Sequence, residues 1–356
     1  MSRAPILVVK LSSLGDAVMS LPFLEALRER FPDSALDWVA EEPSASLLRG
    51  HPLLRRVIPF TAKKALASLK AGRFRAAWKT IRDLRAALRE ERYGLVFDLQ
   101  GLFKSGLATF WARGERKIGF ANGREGASLF LTEKLPPYDP SLNATRRYLL
   151  LAESVGAAPA PGWESRVTLK PTPADLAAAQ ELLGPLPRPF VALVLGTRWN
   201  SKLWPVSHFA ALASLLAARG LSVALIGSPG ETALQEEFFA LRPPSPDARG
   251  LVGLTSPSAL KGVLSLADLT VTADSGPMHL SAALGTRAIA LFGPTRPERT
   301  APLAPWVTVL RPEGFDCLGC LSRRCPLRPP RSCLAAIAPS RVLAEILGGR
   351  AAPPGE

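Results

Sequence analysis

"ILVVKLSSLGDAVMSLPFLEALRERFP", residues 6 to 32, runs from four apolar residues through a short polar segment into apolar residues at helical spacing. Ile6 to Val9 reads as a buried strand, while Ala17, Leu21, Leu24, Leu27 and Phe31 share one face of a helix that Pro32 stops. Strand, tight loop and helix in that order form the repeating unit of a parallel sheet covered on both faces.

The unit recurs. "LDWVA" (36 to 40), "RVIPF" (56 to 60) and "GLVFDL" (94 to 99) read as further strands, the last after a helix carrying Phe74, Ala77, Trp78, Ile81, Leu84 and Leu88. A helix near 143 to 156 follows, and then "GPLPRP" (184 to 189), whose missing amide donors discourage both helix and inner strand. A second series contains "FVALVLG" (190 to 196), "LSVALIG" (221 to 227), "LADLTVTA" (266 to 273) and "TRAIALFG" (286 to 293). The expected fold is α/β, with two Rossmann-like, doubly wound parallel-sheet domains facing across a cleft. Expected boundaries are 1–175 for the first domain, 176–338 for the second, and 339–356 for a closing helix and loose tail.

At 356 residues the chain can bury two cores, and 47% hydrophobic against 21% charged residues is a globular composition. Its 44 Lys and Arg against 30 Asp and Glu leave a net charge of +14, which calls for an anionic partner: nucleic acid, an acidic membrane surface or a phosphorylated substrate. The basic residues show no aromatic-interleaved strand pattern and no nucleic-acid module, so a basic nucleic-acid-binding protein is the weaker alternative. "SSLGD" is not the G-x-G-x-x-G loop of a dinucleotide oxidoreductase. The N-terminus lacks a signal-peptide pattern and no stretch reaches about 18 uncharged apolar residues, so a soluble cytoplasmic protein is expected.

The chemistry falls on loops at the carboxyl ends of strands. Thr197, Arg198 and Lys202 follow "LVLG", Glu231 follows "ALIG", and "DSGPMHLSAALG" follows "LTVTA". Asp274, Ser275 and Gly276 lie before an apolar helix whose first-turn amides and positive dipole end suit an anion, or else form a plain capped turn. Three such loops in one series favour the anion site, with Lys202 and Arg198 as added charges. His279, one turn inside that helix, is either a ligand contact or a packed histidine. Glu231 is either an acceptor for ribose hydroxyls or a helix-start acid. Cys317, Cys320, Cys325 and Cys333 cluster near the end, and C-x-x-C with two further thiols admits a structural zinc or iron site or free thiols.

"VKLSSLGDAVMSLP", "LDWVAEE", "DLQGLFKSG", "REGASLF", "TRWNSKLWP" and "ADSGPMHLSAALG", in this order through both halves, resemble glycosyltransferase family 9, the heptosyltransferases of lipopolysaccharide inner-core assembly. The N-terminal half is most similar to heptosyltransferase I, whereas comparable cysteine clusters occur in other members. The Trp199–Asn200 loop departs from the family pattern, being poorer in acids and a residue longer. The resemblance implies a GT-B fold with acceptor in the first domain and nucleotide sugar in the second. It also implies inverting transfer of heptose from ADP-heptose to Kdo-lipid A or heptosylated inner core, with no cofactor or catalytic metal. The absence of an Asp-x-Asp motif after a second-domain strand agrees with that last point. Asp16 matches the family's motif aspartate and would be the base for the acceptor hydroxyl, with helix capping as the alternative role. Gly15 would let the acceptor sugar approach; Ser12 and Ser13 would hydrogen-bond it. Lys63, Lys64, Lys104 and Arg124 would meet its carboxylates and phosphates. The expected place is the anionic inner face of the inner membrane, held peripherally, with no specific nucleic acid. The main rival is a family 9 transferase for another nucleotide sugar or acceptor.

Overall fold

The computed structural model describes residues 4–349; the expected tail from residue 350 lies outside them. Two compact units divide the chain, one up to Pro161 and one from Gly162.

The first unit runs β1 (Ile6–Val9), α1 (Leu14–Met19), α2 (Leu21–Arg30), β2 (Leu36–Ala40), α3 (Glu42–Leu48), β3 (Arg56–Pro59), α4 (Ala62–Lys70), α5 (Phe74–Arg89), β4 (Arg92–Asp98), α6 (Phe103–Trp111), β5 (Arg113–Phe120), β6 (Glu133–Leu135) and α7 (Ala144–Glu153). Its strands form one parallel sheet in the order β3-β2-β1-β4-β5-β6, with Ile6 in register with Leu36 on one side and Leu95 on the other. Every residue of β1 and β2 is buried, the consequence of helices covering both faces of the sheet. Strands β5 and β6 escape the hydrophobic reading because they approach the sheet edge. There Arg116 and Glu133 pair across the strands at 2.8 Å rather than burying apolar surface.

The first helix differs from its expected form. It begins at Leu14 with Ser13 as N-cap, and it breaks at Ser20 into α1 and α2. Pro22 has no amide hydrogen to give the preceding turn. The Ser20 hydroxyl donates to the carbonyl oxygens of Asp16 (3.0 Å) and Ala17 (2.8 Å), closing α1.

Asp37 is fully buried in β2 and accepts from Arg55 Nε (2.9 Å), Arg56 Nε (2.8 Å) and the Tyr93 hydroxyl (2.8 Å). Burial pushes its carboxyl up, but the hydrogen bonds from Arg55, Arg56 and Tyr93 outweigh that and hold it below the usual carboxylate range. The folded state therefore binds fewer protons than the unfolded chain, and this stability is present above the unfolded pKa of about 3.9 and lost as pH falls through the lower folded value. Asp37→Asn is expected to be less stable than wild type by about 1–3 kcal/mol at neutral pH. Urea titrations at stepped pH should show that gap closing only below about pH 4; a gap that stays constant into acid would contradict the assignment.

The second unit runs α8 (Pro173–Leu183), β7 (Phe190–Val194), α9 (Val206–Ala217), β8 (Ser222–Ile226), α10 (Thr232–Leu241), β9 (Ala248–Gly250), α11 (Pro257–Leu266), β10 (Leu269–Ala273), α12 (Gly276–Ala283), β11 (Ala288–Leu291), α13 (Pro297–Thr300), β12 (Val307–Leu310), α14 (Ser332–Ala335) and α15 (Pro339–Leu347). Its parallel sheet has the order β12-β11-β10-β7-β8-β9, the same winding as the first. Val342, Leu343 and Ile346 of α15 are buried in this unit's core with Leu212, Leu216 and Leu291.

The junction at 161/162 precedes the expected 175/176, because the segment ahead of α8 joins the second unit, the amides of Thr168 and Leu169 both donating to the Ala283 carbonyl at 3.0 Å; α8 in turn packs on α11. A Cβ at Gly262 would lie 2.1 Å from the Asp175 carbonyl oxygen, so glycine is what lets the two helices meet. Beside it Asp175 and Lys261, both almost fully buried, pair at 2.7 Å. The proline-rich segment at 184 to 189 therefore lies inside this unit, between α8 and β7.

Candidate functional site

Each sheet reverses its strand order once, between β1 and β4 in the first unit and between β7 and β10 in the second. Loops leaving neighbouring strands at such a point diverge and leave a crevice outside the carboxyl ends, where sheets of this kind take ligands.

In the first unit the loop after β1 carries Ser12, Ser13, Gly15 and Asp16, and the segment after β4 carries Gln100 and Lys104. Asp16 is the third residue of α1. Its Oδ2 accepts from the Ser13 amide (2.9 Å) and hydroxyl (2.8 Å), a capping box that fixes the carboxylate in one orientation. Its Oδ1 points the other way, accepting from the Tyr148 hydroxyl at 3.4 Å and lying 3.8 Å from Lys10 Nζ. The capping reading and the chemical reading thus fall on different oxygens of one side chain, which is 37% exposed. Gly15 is buried in the first turn.

Lys10 is buried, with its ammonium 4.9 Å over the Tyr148 ring. Burial works against its charge, but Tyr148, Asp16 and Asp98 prevail and hold its pKa above the ordinary lysine value. Burial pushes the Tyr148 hydroxyl up in spite of Lys10, so it keeps its proton and donates. Asp98 ends β4 almost fully buried, and burial pushes its carboxyl up against hydrogen bonds from Gly101, Ser105 and Gln100. Across the switch point, Gln100 Oε1 accepts from the Ser12 amide at 3.2 Å. Lys104 Nζ donates to Ser12 Oγ (3.2 Å) and to the buried Glu41 (2.6 Å).

Of the other expected acceptor contacts, Arg124 is exposed, with its amide donating to the Gly101 carbonyl at 2.9 Å, which joins the loop after β5 to the loop after β4. Lys64 is exposed on α4, and the Lys63 side chain lies outside the described part of the chain. Sequence reasoning missed Lys10, Glu41, Asp98, Gln100 and Tyr148. For Lys10 and Asp98 a signal existed: a lone charge closing an otherwise apolar strand.

In the second unit the loops after β7 and β10 meet through an ion pair. Lys202 Nζ donates to Asp274 Oδ2 at 2.7 Å and to the Asp274 carbonyl at 3.2 Å, and it lies 4.6 Å over the Trp199 ring. Ser275 is the N-cap residue of α12, but its hydroxyl is directed to Thr272 Oγ1 at 2.9 Å rather than to the helix amides. With Asp274 given to Lys202 and Ser275 to Thr272, no side chain caps the first turn of α12, so the plain capped turn is not what forms. Pro277 and Gly276 open that turn, and His279 is buried within the helix. Glu231 accepts from the Ser228 amide at 2.6 Å, and its carboxyl rests over Gly196, where a Cβ would come within 1.8 Å of Glu231 Cδ. That contact brings the loop after β8 against the end of β7. Thr197 spends its hydroxyl on its own loop, donating to the Trp199 carbonyl at 2.8 Å, and Arg198 is exposed.

For the cysteines the sequence admits a metal site or free thiols. All four are free, and among the described residues no three His, Cys, Asp or Glu side chains are placed to hold a metal. Cys333 is drawn into the second unit's core beneath Gly293, where burial pushes its thiol up, while Cys320 is exposed. The intervening loop is tied to the Lys202 segment: Ser201 Oγ donates to the Ser322 carbonyl at 2.7 Å, and Arg323 lies 5.4 Å over Trp199.

Polar clusters at two switch points on twin parallel sheets are shared by many two-domain enzymes, and the sequence decides among them. The family model described as glycosyltransferase family 9 (heptosyltransferase) matches residues 81–330. The chain belongs to glycosyltransferase family 9. Lipopolysaccharide heptosyltransferase 1 of Pseudomonas aeruginosa is 29% identical over 334 residues, 91% of this chain and 88% of that one. Lipopolysaccharide heptosyltransferase 1 of Escherichia coli K12 is 32% identical over 305 residues, 82% of this chain and 88% of that one. The structure of E. coli heptosyltransferase WaaC with ADP matches with a TM-score of 0.75 at 27% identity, covering 97% of this chain and 99% of that one. The two six-stranded sheets are accordingly those of a GT-B glycosyltransferase.

Proposed function

We propose that this family 9 glycosyltransferase moves L-glycero-D-manno-heptose from ADP-heptose to Kdo-lipid A or to an already heptosylated inner core of lipopolysaccharide. The transfer inverts the anomeric centre and uses no catalytic metal. One observation carries the reading: in a chain whose relatives are lipopolysaccharide heptosyltransferases, one switch point is built around a carboxylate and the other around a cation beside an uncapped helix start.

The first unit is the acceptor domain. Asp16 Oδ1 takes the proton from the acceptor hydroxyl as that oxygen bonds to the anomeric carbon. The bond from that carbon to the β-phosphate oxygen breaks, and its electron pair leaves with ADP. Ser12, Ser13 and Lys104 hydrogen-bond the acceptor, Lys104 exchanging part of its contact with Glu41. Arg124, Lys63 and Lys64 meet the acceptor's carboxylates and phosphates.

The second unit is the donor domain. Lys202, Arg198 and the first-turn amides at Gly276 take up the charge that develops on ADP, as a divalent ion would. Asp274 orients Lys202. Glu231 accepts the ribose hydroxyls, while Thr197, Ser275 and His279 contact the diphosphate or the sugar. No helix among the described residues is long and apolar enough to cross a membrane; we place the enzyme in the cytoplasm, held peripherally on the anionic inner face of the inner membrane.

Calorimetric titration without added metal tests the donor. ADP-heptose is expected to bind in preference to GDP-mannose, UDP-glucose and NAD. Preferential binding of another nucleotide sugar would replace the substrate, and binding of none would remove the proposal.

A further inference from the structure

We propose that the outward face of the α4–α5 hairpin is a docking surface for a bilayer of anionic phospholipid, which the aromatic side chains of α5 enter. The proposal rests on the function above in taking the acceptor to be a membrane lipid, and it assigns the peripheral placement proposed there to one surface.

Helix α5 has an apolar face wider than its contact with the core. Ala77, Leu84 and Leu88 are buried, but the same face continues outward into Phe74, Trp78 and Ile81, which are 69%, 63% and 37% exposed. The spacing i, i+4, i+7 places those three in one row. On α4, which packs against α5, Leu66 and Leu69 are 53% and 41% exposed. Scattered exposed apolar residues are ordinary, but five on one hairpin, three of them in a single row, are a concentration that water does not favour.

The remaining exposed side chains of α5 are dominated by cations. Arg75, Lys79, Arg82 and Arg89 follow the apolar row along one flank and Arg85 continues the row itself, with Asp83 as the acid among them. The Arg82 guanidinium lies 5.2 Å over the Trp78 ring, and Phe74, Trp78, Arg75, Lys79 and Arg82 line a shallow groove of about 570 Å³. A row of aromatic and aliphatic residues flanked by cations matches the boundary between headgroup phosphates and acyl chains, where both kinds of group are satisfied together. With 16 residues, α5 is about 24 Å long and heavily charged, suited to lie in that plane rather than span it.

A second copy of the chain fits less well. A two-fold contact through this face would set the same cations against one another on a protein already at +14. A nucleic acid would satisfy the cations but leave Leu66, Leu69 and Ile81 in water.

Flotation of the full chain with vesicles tests the proposal without any donor or acceptor, so failure of heptosyl transfer and failure of docking are read separately. Wild type is expected to float with phosphatidylglycerol-containing vesicles and not with phosphatidylcholine alone. The triple variant Arg75→Gln/Lys79→Gln/Arg82→Gln should bind on the order of 100-fold more weakly and lose most of its salt dependence. Phe74→Ser/Trp78→Ser should weaken binding about tenfold or more, and Trp78→Phe should retain it. Both multiple variants should transfer to an acyl-free acceptor at the wild-type rate, which also reports that they fold. Equal binding to neutral and anionic vesicles, unchanged binding in the variants, or tighter binding of a DNA duplex than of vesicles through the same residues would each overturn it.

Discussion

Replacing Asp16 by asparagine should lower heptosyl transfer by about 10²- to 10⁴-fold while leaving ADP-heptose binding unchanged. The division of labour between the two carboxylate oxygens makes this variant informative. Oδ2 is held by the Ser13 amide and hydroxyl, and an asparagine carbonyl oxygen can take over both contacts, so α1 keeps its N-terminus. The amide NH₂ then occupies the position of Oδ1, beside Lys10 and Tyr148, where it cannot accept a proton from the acceptor. Single-turnover rates with calorimetry on the same preparation check the result. Transfer at a near wild-type rate would reassign the base, and loss of donor binding together with transfer would point to a structural role.

Lys202→Met should lower kcat/KM by about 10²- to 10³-fold, together with weaker binding of ADP. Two effects add. The ammonium proposed to meet the diphosphate is gone, and Asp274, 8% exposed, is left as an uncompensated carboxylate beside the same helix start. Neutralising it in Lys202→Met/Asp274→Asn should therefore recover part of the ADP affinity, and the double-mutant cycle should show coupling between the two sites. If the second substitution costs as much in the Lys202→Met background as in wild type, Asp274 does not act through Lys202.

Strands β1, β2, β7, β8, β10 and β11 were legible because each is buried along most of its length and reads as an apolar run. Strands β5, β6 and β9 were not, since partial exposure lets charged and small residues interrupt the pattern, while β12, Val-Thr-Val-Leu, is too short a run between prolines to stand out. The domain junction was misplaced for a different reason. Whether residues 162–175 join the first or second unit depends on the Ala283 carbonyl, which takes the amides of Thr168 and Leu169 from more than 100 residues onward, and no local signal reports such a contact. At the candidate site, position after a strand was enough to find Asp16, Lys202 and the Asp274–Gly276 turn. Lys10 and Asp98 stood in plain view as charges ending apolar strands, whereas Tyr148 reaches Asp16 from 132 residues away. The cysteine spacing alone does not choose between a metal site and free thiols; Cys333 is packed into the core, where burial and the nearby Cys317, Cys325 and Cys320 push its thiol up.

Inverting, metal-independent heptosyl transfer is tested most directly by incubating the purified chain with ADP-heptose and Kdo-lipid A in excess chelator and determining the product by NMR. The expected product is one heptosylated acceptor per ADP released, with anomeric configuration opposite to that of the donor. Retained configuration, or transfer that appears only when a divalent ion is restored, would contradict the roles given to Asp16 and Lys202.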